Sequence, residues 1–288
     1  MGSKALFGKT KMLSVNSNYS SLFAANAARQ SQSGLESAME KLSTGKRINY
    51  AKDDAAGQAI AMRLTAEIAG ISMAARNAAD GQSLIDTADG ALNEVGSLLT
   101  RMRELAVQSA NGTLQTADRT ALGVEFDSLE AEINRIAENT TWAGQNMLNG
   151  SVFSAGFKIH VGPGNGQIVT HAIKDMATTA ATIGITAAIA ITDVTKANSA
   201  ITQLDLAIAG VAKERGKLGS TSNRLDSTVA NLNQVKVNLS ASRGRIEDAD
   251  FAQETGNLAK NQILQQAAMA MVAQANASKG AVLTLIQN

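Results

Sequence analysis

His160 and His171 are the only imidazoles in the chain, and it contains no cysteine. Thiol nucleophiles, disulfide scaffolds and cysteine-ligated zinc are thereby excluded. The two histidines flank a turn-rich stretch, so a hairpin could bring them together. Neither lies in an HExxH pattern, and no carboxylate partner is organised beside them, so they give little support for a metal site. Residues 162–166 (Gly-Pro-Gly-Asn-Gly) lack the following Lys-Ser/Thr of a phosphate cradle and open no helix; they read as a turn. Carboxylates cluster at Asp53 and Asp54, just before a helix expected to start at Ala55, and at Glu247, Asp248 and Asp250, beside Arg243 and Arg245. Helix-dipole and ion-pair roles account for both groups. No nucleophile is paired with a base in a hydrolytic pattern. The sequons, Asn111-Gly112-Thr113 among them, have meaning only where glycosylating enzymes are present. The expectation is a chain with no catalytic, cofactor or metal site.

What remains is structural. The 288 residues include one proline, Pro163, where average usage would give roughly fourteen. Alanine is abundant and aromatics are 3%, a bias towards long helices. A net charge of +1 argues against a nucleic-acid binder, which needs a basic face. The longest uncharged helical segment, 261–278, is interrupted by Gln262, Gln265, Gln266, Gln274 and Asn276, so membrane insertion is not expected. Near the N-terminus, Lys4, Lys9 and Lys11 precede polar residues 14–21 where a secretory signal would carry an apolar run.

Apolar residues recur at alternating spacings of four and three. The stripes are Ala28, Gln32, Leu35, Met39, Leu42; Leu64, Ile68, Ile71, Ala75, Ala78; Leu92, Val95, Leu99, Met102, Ala106; and Leu122, Phe126, Leu129, Ile133, Ile136. They continue through Ile201, Leu204, Ile208, Val211, Leu218, Leu225, Val229, Leu232, Leu239, and then Leu264, Ala268, Met271, Ala275, Val282, Leu285. A 3.5-residue period keeps one seam facing a partner helix, which predicts coiled-coil or bundle packing. Phe157, Ile159 and Val161 instead alternate with Lys158 and His160, which predicts a β-hairpin across the 162–166 turn to 167–170. The stretch 177–192 stays open between strand and buried helix. The fold expected is mainly α: a long coiled-coil or bundle rod with a small β-hairpin, its N- and C-terminal helices paired.

Charge is the most informative pattern. Residues 12–35 carry only Arg29 and residues 261–288 only Lys279, where the chain average of 18% would place about nine charges across the two segments. A solvated helix backs its apolar stripe with charge. Here the opposite faces are Ala, Ser, Asn and Gln, as in the buried part of an assembly interface.

Residues 42–49 (Leu-Ser-Thr-Gly-Lys-Arg-Ile-Asn) and 51–57 (Ala-Lys-Asp-Asp-Ala-Ala-Gly) closely resemble bacterial flagellin. So do 74–81 (Ala-Ala-Arg-Asn-Ala-Ala-Asp-Gly), 90–94 (Gly-Ala-Leu-Asn-Glu) and 101–111 (Arg-Met-Arg-Glu-Leu-Ala-Val-Gln-Ser-Ala-Asn). At the other end, 242–251 (Ser-Arg-Gly-Arg-Ile-Glu-Asp-Ala-Asp-Phe) and 262–267 (Gln-Ile-Leu-Gln-Gln-Ala) are similar to the family's C-terminal signature. The resemblance spans residues 12–288.

It implies a subunit that polymerises into the flagellar filament for swimming, extracellular and exported through the flagellar type III channel without a cleaved signal peptide. It further implies an inner core of residues 12–52 with 246–288, a helical rod of 53–150 with 193–245, and a short β-rich variable segment 151–192 in place of large outer domains. Residues 1–11 are an extension: a leader, an alternative start or a cloning scar. Leu35, Met39, Leu42, Leu264, Ala268, Met271, Ala275, Val282 and Leu285 are the expected subunit-packing residues. The partners implied are further copies of the chain, hook-associated and cap proteins, and an export chaperone at the C-terminal segment. An animal Toll-like receptor is implied at Arg101, Arg103, Glu104 and Leu105 with Glu125. A hook–filament junction protein and a flagellin-derived adhesin are the competing readings.

Overall fold

The computed structural model describes residues 17–178 and 189–287, with the helix backbone alone from 281 onwards. The extension 1–11, most of the open stretch 177–192, and the side chains of Val282 and Leu285 lie outside the described residues. Among the described residues five helices carry the fold: α1 (Tyr19–Thr44), α2 (Ala55–Ser109), α3 (Thr116–Asn139), α4 (Val194–Glu247) and α5 (Phe251–Gln287). The sole proline sits in a turn, so nothing interrupts the hydrogen-bond ladders of α2 and α4, 55 and 54 residues long.

Short polar side chains start the helices. The Asn18 carboxamide oxygen accepts from the Ser21 N–H, Asp54 from Gly57, Asp193 from Lys196 and Asp250 from Ala252, all at 2.8–3.1 Å. The carboxylates at 53–54 and 250 are thus caps and turn anchors, Asp53 accepting from the Asn49 and Tyr50 N–H groups. Gly45 ends α1 at φ 69°, a conformation in which a β-carbon crowds its own backbone. Replacing Gly45 with Ala should cost about 1–2 kcal/mol in a denaturant melt, even though open space surrounds the position.

The chain divides into two compact units, Met1–Leu64 with Ala241–Asn288, and Thr65–Ser240. In the second, α2 and α4 run antiparallel: Arg103 pairs with Asp205 at 2.6 Å and Arg215 with Asp89 at 2.8 Å. α3 folds back on α2 through a loop closed by Arg119, whose buried guanidinium donates to the Ser109 and Asn111 carbonyls. A cation there neutralises the negative end of the α2 dipole. The expected stripes form this core: Leu92, Val95, Leu99, Met102 and Ala106 of α2, Phe126 and Ile133 of α3, and Leu204, Leu218 and Leu225 of α4 are almost wholly buried.

Among the described residues the unit also holds two antiparallel hairpins. The expected one pairs β3 (Phe157–His160) with β4 (Ile168–His171). Its turn is closed by the Val161 N–H to Gln167 carbonyl bond, with Gly166 at φ 79°. A smaller one, β1 (Thr141–Trp142) with β2 (Gln145–Asn146), was not anticipated. Its two-residue turn places Ala143 at φ 49° and Gly144 at φ 80°, the doubly left-handed geometry that matches strand twist. Ile159 of β3 packs against Gly81 of α2, so closely that a β-carbon at Gly81 would collide with it.

Candidate functional site

In the first unit α1 and α5 lie antiparallel. Asn18 reaches the Ala275 carbonyl, Gln265 donates to Gln32, and Lys41 pairs with Glu254. Beyond α1, the Arg47 N–H donates to the Glu247 carbonyl and the Ala249 N–H to the Gly45 carbonyl, stitching the α1–α2 loop to the α4–α5 junction. Lys46 pairs with Glu247 there.

The α1–α5 seam is made of small residues. Ala24, Ser31 and Ala38 of α1 are buried at seven-residue spacing, with Ala268 of α5. Gly34 lies so close to Asn261 that a β-carbon would stand 2.8 Å from its side-chain nitrogen. This corrects the expected α1 stripe. Gln32 and Met39 do not fill the seam; Ser31 and Ala38, one residue earlier, do, and Met39 points outwards. It also splits the expected packing residues. Ala268, 8% exposed, is enclosed within its own chain, while Leu35, Leu42 and Ala275 are half-buried. Met39, Leu264 and Met271 are open.

Because small side chains close the seam, large apolar ones are left outside. Phe23 (75% exposed), Tyr19, Leu22, Met39, Ile60, Met62, Phe251, Ile263, Leu264, Met269 and Met271 (60%) all stand open in this unit. Exposed large hydrophobics in the other unit are mostly valines. Side chains of this size exposed together, most of them on two helices whose stretches 19–35 and 261–287 carry only Arg29 and Lys279, mark an interaction surface. Tyr19, Leu22, Phe23, Phe251, Ile263 and Met269 were absent from the expected set; the signal for them was the small size of the seam residues.

Nothing in the described residues gathers three or more histidine or acidic groups as metal ligands would be gathered. The hairpin register separates the histidines: His160 stands opposite Ile168 and His171 opposite Phe157, at the two ends. His171 Nδ1 meets Thr221 Oγ1 at 2.9 Å, and that hydroxyl donates to the Lys217 carbonyl, so Nδ1 carries the donated proton. Burial, with a smaller push from Lys217 and against the pull of Glu214, holds the imidazole below its ordinary value. The folded state therefore keeps His171 neutral, and that contribution to stability is complete above about pH 6.5 and lost as the pH falls below it. Thermal midpoints should drop between pH 7 and pH 5, and His171→Gln should flatten that slope.

Models of the bacterial flagellin N-terminal helical region and C-terminal helical region match residues 15–152 and 201–286. A flagellin of Halalkalibacterium halodurans is 44% identical over 252 residues, covering 88% of this chain and 92% of its own. The chain belongs to the flagellin family. The flagellar filament 33 kDa core protein of Treponema phagedenis is 39% identical over 286 residues, covering 95% of this chain and 99% of its own. Among solved structures, a putative flagellar hook-associated protein of Vibrio parahaemolyticus shares the fold, with TM-score 0.59 at 16% identity over 68% of this chain and all of that one.

This flagellin is a short form. β4 ends at His171 and α4 begins at Val194, and an interval that brief cannot enclose the hydrophobic core of an outer domain. It is a structural protein, not an enzyme. Among the described residues no helix is long and apolar enough to cross a membrane.

In the second unit Arg101 bridges Glu104 at 2.9 Å and Glu125 at 2.8 Å, all three exposed. Arg103 is engaged by Asp205. Leu105 needs a correction. At 1% exposed it packs in the core beside Met102 and Ala106 and presents nothing to a partner. The arginines' guanidinium groups are held above their ordinary range by these carboxylates, first by hydrogen bonding.

Proposed function

We infer that this chain is the repeating subunit of a bacterial flagellar filament, polymerising outside the cell with copies of itself. The observation that carries this is the concentration of exposed large apolar side chains on α1 and α5, whose stretches 19–35 and 261–287 hold one charge each. Enclosing one Leu, Phe or Met contributes about 1.5–3 kcal/mol, so several together offset the roughly 4–15 kcal/mol that association costs. On this reading residues 12–52 with 246–288 form the inner core helical domain, and 53–150 with 193–245 the helical rod domain. The test is electron microscopy of purified chain at neutral pH: long uniform filaments are expected, and protein that stays monomeric at high concentration contradicts the reading.

The remaining partners follow from the resemblance: type III export without a cleaved signal, a chaperone on the C-terminal segment, and hook-associated and cap proteins at the filament ends. Recognition by a Toll-like receptor is supported by the exposed trio Arg101, Glu104 and Glu125, with Arg103 nearby. Since Arg101 is already paired within the chain, a receptor would have to replace its carboxylates, and Arg101→Ala should weaken receptor signalling while leaving filaments intact. The competing hook–filament junction role is disfavoured by 39–44% identity to a flagellin and a filament core protein over most of the chain.

A further inference from the structure

The methionines are partitioned in a way the packing of the monomer does not require. Met102, Met147 and Met176 are sealed in the core of the second unit, at most 1% exposed. In the first unit Met39, Met62, Met269 and Met271 are all at least 54% exposed. Met73, also exposed, has its sulfur engaged by the Arg76 guanidinium. Met269 and Met271 flank Ala268, the buried seam residue, one to either side at about 100° per residue. The α1–α5 register (Asn18 at Ala275, Gln32 at Gln265) sets Met271 near the level of Phe23 and Met269 about one turn further along α1. Two open thioethers on α5 thus lie within about a turn of two open large hydrophobes on α1.

We propose that these four exposed methionines are oxidation sites that switch off polymerisation: a peroxide converts them to sulfoxides in the monomer, and the oxidised monomer is excluded from the growing filament. This rests on the reading of the exposed apolar side chains of the first unit, on α1, α5 and the start of α2, as the assembly face. The sulfur lone pair attacks one peroxide oxygen, the O–O bond breaks, and the other oxygen leaves as water. Sulfur is oxidised by two electrons and the peroxide reduced by two. The product replaces a flexible apolar group by a strong dipole, tolerated in water but not in a dry contact. The same contact shields the sulfurs once assembled, so filaments resist what disables monomers.

The experiment treats purified monomer and preformed filament with hydrogen peroxide, maps sulfoxides by mass spectrometry, and measures the critical concentration for assembly. Sulfoxide is expected at Met39, Met62, Met269 and Met271 of the monomer, with Met102, Met147 and Met176 spared and helicity retained. The critical concentration should rise at least tenfold. Treatment with both methionine sulfoxide reductases should restore it, and the M39L/M62L/M269L/M271L variant should assemble equally before and after peroxide. Oxidised monomer that assembles normally, or a loss that the reductases do not reverse, would overturn the proposal. Untreated monomer that never polymerises would instead refute the underlying assignment of function.

Discussion

Met271→Glu is expected to abolish filament assembly at concentrations where the unmodified chain polymerises, while the monomer melts as before. Met271 is 60% exposed on α5, and Met and Glu have similar helix propensities, so the substitution touches nothing the monomer needs. In a filament that encloses the position, the carboxylate is buried without a partner, which costs about 3–5 kcal/mol. At 1.4 kcal/mol per decade that raises the critical concentration by roughly two to three and a half orders of magnitude. Met271→Leu should assemble almost normally. Ala268→Glu makes the contrast, because Ala268 lies in the α1–α5 seam and the charge should disrupt that pairing in the monomer itself.

Phe126→Ala should destabilise the second unit by about 3–5 kcal/mol, a large share of the 5–15 kcal/mol that typically holds a domain together. Phe126 is completely buried in the α2–α3–α4 core, with Ile133 of the same helix buried beside it in that cluster. Urea titration followed by circular dichroism would check it: the midpoint should fall by more than for any exposed substitution on α3, such as Val124→Ala, whose side chain is open to solvent. A midpoint that barely moves would mean the core repacks around the lost ring.

The core of the second unit was legible because its stripes are built from large aliphatics. Leu92, Val95 and Leu99 can only be read in one phase, and the helices obey it. The α1 stripe was read one residue out of phase for the opposite reason. Hydropathy prefers Met39 to Ala38 and is nearly blind between Ser31 and Gln32, yet close approach of two helices selects Ser31 and Ala38 for their size. The same bias put Ala268 on the assembly face with Met271, when the roughly 60° between them takes Ala268 into the seam and leaves Met271 open. Leu105 went astray because a contiguous motif carries core and surface residues alike, and only the position of Leu105 beside Met102 and Ala106 tells which it is. The β1–β2 hairpin has strands of two residues, too short for any alternation to register.

The central claim is that neighbouring copies enclose the charge-poor faces of α1 and α5. A near-atomic electron-microscopy map of filaments grown from this chain tests it most directly. Leu22, Phe23, Met269 and Met271 should each lie within van der Waals contact of another copy, with no solvent between. Side chains at those four positions standing free in solvent, inside or outside the assembly, would contradict it.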